Sequence, residues 1–413
     1  MPSPTTPPRL VIGHLDADTY YVSAERVRFP FLRGQPLAVL GNQGACVIAR
    51  SAEMKKAGVQ VGEPIWEAKQ KCPDGIYLKR DFRWYELLSR KMLDVVRTYA
   101  PEVEYFSIDE FFFVAHPPPG QSLQAYAELL RDRIMATVKV PVTVGLARTK
   151  SLAKLISDHA KPFGASVVID PEAEADLLAQ RMVSDITGIA KRRARRLNAY
   201  GIWTCRDFVK ADCRLIRQIL TVTGERLWWE LNGQPCQPLH ARRPAHQMLA
   251  RGGSLGETTA DPARVWAWAV RNLERLIEEL DYHQVHAGRL SVWLGCQDDF
   301  SLATDVKLDA PTSRFDLLVE AVREGIRRTW VPGRSIVRMN LVASNLHRQD
   351  ALQLGLFDPP GDRAEAIAQV KRQVNDQLGR FLVRSGATLP LQANYDDPAQ
   401  SYDICDVRGK QCF

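Results

Sequence analysis

The sequence predicts an α+β chain of several domains, and three observations carry that reading. Its 413 residues exceed what one ordinary core accommodates, so about two to four domains are expected. Short apolar runs of strand length alternate with longer stretches whose apolar residues recur every three to four positions. Two of the short runs end in carboxylates, which places candidate chemistry at the edge of a sheet.

Composition narrows the class. A hydrophobic share of 45% with 25% charged residues is that of a globular protein able to bury a core. The net charge of +7 favours a polyanionic partner, a nucleic acid or an anionic membrane surface. No apolar run reaches membrane-spanning length, and the Pro-rich start, Met1 to Pro8, has no signal-like core, so the cytoplasm is the expected location. The eight cysteines form no C-x-x-C pair and have no histidine cluster beside them, which argues against zinc and against a disulfide framework.

The chain is organised around Glu104-Tyr105-Phe106-Ser107-Ile108-Asp109-Glu110-Phe111-Phe112-Phe113-Val114, where apolar and aromatic residues flank one acidic pair. That is the pattern of two short strands joined at a tight corner. Neighbouring side chains on a strand point to opposite faces, so Asp109 and Glu110 serve one site only where the pairing bends. Arg9 to Asp16 reads as a second buried strand ending in Asp16-Ala17-Asp18. Side by side, two such ends gather carboxylates whose repulsion is relieved by protonation or by hard cations such as Mg²⁺. Either stretch alone is equally the solvated turn that ends many strands.

In chain order, residues 9–27 predict a strand and the start of a helix. Strands follow at 37–40 and 46–49, then helical pieces at 51–56 and 65–71 separated by Gly58 and Gly62. Apolar spacing predicts helices at 81–100 and 123–138, a strand at 140–146, and a helix at 150–160 stopped by Pro162. Strand, helix, hairpin, helix and strand together fit a ferredoxin-like layer with helices on one face. Residues 235–248 lack periodicity and read as a tether. Beyond it come a strand near Gly252, a helix at 262–280, strands at 286–296 and 304–308, a helix at 312–328, a strand at 336–343, and an amphipathic helix at 361–382.

Asp16-Ala17-Asp18-Thr19-Tyr20-Tyr21-Val22-Ser23-Ala24-Glu25, followed by Ser107-Ile108-Asp109-Glu110, resembles the paired motifs of the Y-family translesion DNA polymerases. The resemblance continues through Thr143 to Ala147, Ala153-Lys154-Leu155 and Ala160-Lys161-Pro162-Phe163-Gly164. It implies a right-hand polymerase: palm at 1–27 and 81–170, small fingers at 28–80, and a helical thumb at 171–237. A linker at 238–248, an α/β little finger at 249–347 and a tail at 348–413 complete it. Cys46 to Lys55 is closest to the branch containing the catalytic subunit of DNA polymerase V, and accessory subunits of the damage response are implied as partners. Against the DNA polymerase IV pattern, Ala52 and Lys55 replace a Tyr and an Arg; a lysine supplies charge to a phosphate without the bidentate fork.

The resemblance further implies primer–template DNA and deoxyribonucleoside triphosphates as substrates and two Mg²⁺ ions about 3.5–4 Å apart. Asp16 and Asp109 bridge the ions, Glu110 binds the one nearer the primer, and the Ala17 carbonyl completes the other. Tyr21 falls on the steric-gate position under the sugar. Tyr20 goes to core or minor-groove packing, while the amides of Thr19 and Tyr20, with Lys55 and Lys161, contact the triphosphate. Ile186 to Ile202 resembles the thumb's helix-hairpin-helix, so Gly188, Ala190, Lys191, Arg192 and Arg193 are expected on the DNA backbone, with Ala190 standing where a second glycine is usual. Gln353, Leu354, Leu356 and Phe357 resemble the bacterial sliding-clamp-binding peptide, an extended segment that drops apolar anchors into a groove. Ser401 to Phe413 resembles a tail of some bacterial members and has no assigned role. Two other classes compete: a non-catalytic adaptor that keeps the fold and the clamp peptide, against which all three carboxylates count, and a nucleotidyl cyclase on a similar palm.

Overall fold

A computed structural model describes residues 10–41, 46–241, 245–348, 363–378 and 382–391. The Pro-rich start, the peptide at 353–357 and the stretch from 401 lie outside the described residues. The chain divides after residue 243 into two compact units, within the expected tether.

The first unit opens with β1 (Ile12–Ala17), α1 (Tyr20–Arg28), β2 (Leu37–Leu40), β3 (Val47–Arg50), α2 (Ala52–Lys56), α3 (Ile65–Lys71) and β4 (Ile76–Lys79). It continues through α4 (Phe82–Tyr99), β5 (Val103–Tyr105), β6 (Glu110–Val114), α5 (Leu123–Val138), β7 (Val142–Ala147), α6 (Lys150–Ala160) and β8 (Ala165–Val167). Four helices close it: α7 (Pro171–Gln180), α8 (Lys191–Asn198), α9 (Cys205–Lys210) and α10 (Cys213–Leu231).

Its main sheet has the order β5-β6-β1-β7-β8, with β1 antiparallel to both neighbours and β8 parallel to β7. Alternation along the strands sorts their side chains into two cores. Leu15, Ala17, Phe111, Phe113, Val142, Val144 and Leu146 pack with α4 and α5 on one face. Ile12, Phe112, Val114 and Ala147 pack with Leu152, Ala153, Leu155 and Ile156 of α6 on the other, joined there by α7 to α10. The expectation of helices on one face is therefore corrected: the sheet is covered on both. The run Val142 to Ala147 is buried on both sides, and Thr143 is its one polar residue. Contact with α6 is close at Gly145, where a Cβ would fall 2.5 Å from Ala153 O and from Ser157 N.

A smaller sheet, β3-β2-β4, packs with α2 and α3 around Val47, Met54, Ile65 and Tyr77. Strand β4 was not expected from the sequence; it is four residues long and pairs in parallel with β2, across both helices. The expected tether is anchored over its first part. Glu230 Oε1 accepts Cys236 N–H and Gln237 N–H at 2.8 and 3.0 Å, and Glu104 Oε2 accepts His240 N–H at 2.9 Å.

The second unit contains β9 (Met248–Thr259), α11 (Pro262–Tyr282), β10 (Val285–Cys296), β11 (Ser301–Thr312), α12 (Phe315–Thr329), β12 (Ile336–Arg348) and α13 (Arg363–Leu378). Its sheet order is β11-β10-β12-β9, antiparallel throughout, and α11 and α12 share one core with it. The stretch expected as a tail is partly integral to this unit. Lys371 is paired with Glu274, Arg372 with Asp281 at 3.0 Å, and Leu391 is fully buried in the same core. No helix among the described residues is long and apolar enough to cross a membrane.

Gly145→Ala is expected to lower unfolding stability by about 1–3 kcal/mol, because the β7–α6 approach is made of backbone and cannot yield to an added methyl; urea unfolding measures it.

Candidate active site

Asp16 and Glu110 are partners in the β1–β6 ladder. Residues directly opposite one another in an antiparallel pair project from the same face, so register alone brings these two carboxylates together. Asp109 is the residue before β6, at the bend between β5 and β6, and its carbonyl accepts Ala17 N–H at 2.9 Å. The bend lets adjacent acids serve one place. Ser107 Oγ donates to Asp109 Oδ1 and fixes that carboxylate.

All three line a cavity of about 620 Å³ within the first unit. The wall on the main-sheet side also includes Ala17, Thr19, Tyr20, Tyr21 and Lys161. The opposite wall comes from β3, α2 and the turn after it: Ile48, Ala49, Arg50, Ser51, Ala52, Lys55 and Val61. The sequence-derived residues from Asp16 to Lys161 are thus gathered in one place, while Ile48, Ala49, Arg50 and Val61 were not singled out. Tyr21 is fixed by aromatic contacts, stacked on Tyr85 at 4.7 Å and edge-on to Phe82 at 5.7 Å. Tyr20 points into the core, 4% exposed, and its hydroxyl donates to Tyr85 O.

Cations from the α6 side compensate the acids. Lys154 Nζ pairs with Glu110, and Lys161 Nζ lies 2.8 Å from Asp16 Oδ2 and 2.9 Å from Asp158 Oδ1. Burial pushes the Asp16 carboxyl up to about 7 against the pull of Lys161, and Glu110 beside it adds to the rise. Burial alone would lower Lys161, but the charges and hydrogen bonds of Asp16 and Asp158 leave its ammonium above the ordinary lysine value. Beneath them His14 is fully buried against Phe112, its rings 4.5 Å apart, and its Nδ1 lies 2.7 Å from Ser157 Oγ. Burial, then the charges of Lys154, Lys161 and Lys150, hold His14 well below the ordinary imidazole value, so it stays neutral.

Donor atoms of His14, Asp16 and Glu110 all lie within 4.8 Å of one another, and His14 Nε2 has no hydrogen-bond partner. Two buried or half-buried carboxylates, with Asp109 at the same cavity, form a donor set that suits a hard divalent cation.

The basic hairpin lies elsewhere in the first unit. Gly188 has φ of 96°, which glycine tolerates, and Ala190 caps α8 at φ of −78°. A glycine is therefore not required at 190. Lys191, Arg192 and Arg193 form the first turn of α8, and Arg193 Nη1 donates to Gly188 O at 2.7 Å. Gln353, Leu354, Leu356 and Phe357 lie outside the described residues.

Comparison with known proteins places this architecture. Residues 15–158 match the impB/mucB/samB family, and residues 246–356 match that family's C-terminal domain. The chain is 31% identical over 382 residues to DNA polymerase IV 2 of Mesorhizobium japonicum, covering 91% of this chain and 89% of the relative. It is 28% identical over 388 residues to DNA polymerase IV of Bacillus velezensis, covering 92% and 93%. It is 29% identical over 381 residues to protein UmuC of Salmonella typhimurium, covering 88% and 90%. Among solved structures, a Y-family DNA polymerase chimera of Dbh and Dpo4 shares the fold with a TM-score of 0.70 at 24% identity, over 82% of this chain and 99% of that one. The chain belongs to the bacterial Y-family translesion DNA polymerases, and its activity is that of a DNA-directed DNA polymerase.

Ser107→Ala is expected to lower kcat/KM for nucleotide insertion about threefold to tenfold with little change in Tm, since the hydroxyl's hydrogen bonds with the Asp109 carboxylate and N–H are lost and no core is disturbed. Steady-state primer extension checks it.

Proposed function

We propose that this polymerase extends primers across damaged template by two-metal nucleotidyl transfer, with Asp16, Asp109 and Glu110 holding Mg²⁺ and the Ala17 carbonyl completing the nucleotide-side site. The observation that carries the reading is the in-register pairing of Asp16 with Glu110, with Asp109 at the adjacent bend of the same cavity. Bound divalent ions would supply charge neutralisation for the attacking and leaving oxygens.

The protein's own groups do the rest. Tyr21, held rigid by Tyr85 and Phe82, closes the space beneath the sugar and excludes a 2′-hydroxyl. Lys161 and Lys55, on opposite walls, receive the triphosphate along with the amides of Thr19 and Tyr20. Gly188, Ala190, Lys191, Arg192 and Arg193 engage the backbone of the primer–template duplex. The cavity's fingers wall rests on a three-stranded sheet with two short helices, a small element to close over a base pair. Discrimination by contact alone is modest, which fits error-prone copying.

The palm at 1–27 and 81–170, fingers at 28–80, thumb at 171–237 and little finger at 249–347 are the domain assignment that goes with this reading. Gln353, Leu354, Leu356 and Phe357 tether the enzyme to the sliding clamp and so raise its effective concentration at the primer end. Similarity to UmuC makes accessory subunits part of the proposal. A cytoplasmic location accompanies it.

Asp109→Ala and Glu110→Ala are each expected to abolish extension on damaged and undamaged templates while primer–template affinity stays within about threefold of wild type. Both should also erase the Mg²⁺-induced rise in Tm expected of the native protein; extension or an undiminished rise in either variant removes the metal assignment. Tyr21→Ala is expected to raise ribonucleotide incorporation by about tenfold or more, read as the ratio of kcat/KM for the two sugars, at little cost to deoxyribonucleotide use.

A further inference from the structure

Asp18 is the acid of the first motif that has no task in the metal reading. It is 7% exposed, and its main chain is fixed at both ends: its N–H donates to Pro141 O at 2.9 Å, and its carbonyl accepts Ser23 Oγ–H at 2.6 Å. Its carboxylate serves the turn that follows α6. Oδ2 accepts Phe163 N–H at 2.7 Å, and the Thr143 hydroxyl donates to Oδ1 and Oδ2 at 3.0 and 3.2 Å. Thr143 Oγ1 in turn accepts Gly164 N–H at 3.3 Å, and Gly164 O accepts Val144 N–H at 3.0 Å.

This turn does not hold its shape by local preference. Phe163 has φ of 49°, a left-handed conformation that a residue with a Cβ adopts only at a cost. At Gly164 a Cβ would fall 2.0 Å from Ala160 O. Residues held so persist where their surroundings over-determine them, and here the surroundings are Asp18, Thr143 and the edge of β7. Lys161 stands two residues before Phe163. Its long side chain reaches a fixed point only if the backbone beneath it is fixed.

We propose that Asp18 is a positioning residue for nucleotide binding: it clamps the 161–164 turn through Phe163 N–H and Thr143, so that the Lys161 ammonium is delivered to the triphosphate of the incoming nucleotide. The inference rests on the reading of Lys161 as a triphosphate ligand. A buried carboxyl is suited to the task, because one oxygen accepts Phe163 N–H while both oxygens accept from the Thr143 hydroxyl.

The test is single-nucleotide insertion with Lys161→Ala, Asp18→Ala, Asp18→Asn, Thr143→Val and the Lys161→Ala/Asp18→Ala double variant, alongside Tm and primer–template affinity. Lys161→Ala should raise KM for the nucleotide about tenfold with kcat within about threefold. Asp18→Ala should show the same split, and the double variant should exceed Lys161→Ala by no more than about twofold. Asp18→Asn keeps an acceptor for Phe163 N–H and should recover most of the loss, while Thr143→Val should fall between. A wild-type KM in Asp18→Ala, or losses that multiply in the double variant, overturns the proposal and leaves the Lys161 reading standing. A wild-type KM in Lys161→Ala overturns both. If Asp18→Ala fails to fold, Thr143→Val decides: a KM unchanged from wild type there overturns the proposal.

Discussion

Two carboxylates facing each other across an antiparallel ladder at the end of a buried sheet form the constraint on which the rest of the first unit depends. Register fixes Asp16 opposite Glu110, and the β5–β6 bend adds Asp109. Like charges in a partly dry site repel, and the fold relieves this by presenting Lys154 and Lys161 from the α6 side. A sheet chosen for stability alone would carry apolar residues there, since replacing buried ion pairs by packed hydrophobic side chains is often neutral or stabilising. Burial raises the Asp16 carboxyl, the direction expected when a fold keeps an acid in a partly dry place.

The lysines are not equivalent. Lys154 is 12% exposed and pairs with Glu110 from within the α6 packing face, whereas Lys161 is 34% exposed at the end of that helix, shared between Asp16 and Asp158. An arriving anion can draw Lys161 away from Asp16 while Asp158 still accompanies it; Lys154 has no such freedom. Neutral His14 beneath them adds no further positive charge to the stack. Strand β3 and helix α2 supply the opposite wall with Arg50 and Lys55, so positive charge borders the acidic centre from both sides.

The acidic motifs were legible because adjacency on a strand and proximity at a bend are local properties. The face of α6 was legible in principle too: Lys150, Lys154, Ser157 and Lys161 recur at intervals of four, three and four, the spacing of one helical face, and all four meet the acidic strands. Assigning a role only to Lys161 left Lys154 and His14 without one. Strands β4 and β8 escaped because each is three or four residues long and pairs in parallel with a distant partner, which no periodicity records. The second face of the main sheet was missed because Val142 to Ala147 reads equally as a strand buried once or twice. The anchored start of the tether depends on buried Glu104 and Glu230 accepting backbone N–H groups, and composition there signals only a lack of pattern.

The carboxyl-terminal stretch is woven back into the second unit: Ser385 N–H reaches Glu274 at 2.8 Å, Lys371 pairs with the same carboxylate, and Leu391 sits in the core beside α11. Chain on both sides of residues 353–357 therefore belongs to one folded body. Cutting the protein short to remove that peptide would also take Leu391 out of the second unit's core and leave Glu274 buried without its lysine. Loss of the peptide and loss of folding would arrive together, and only point substitutions separate them.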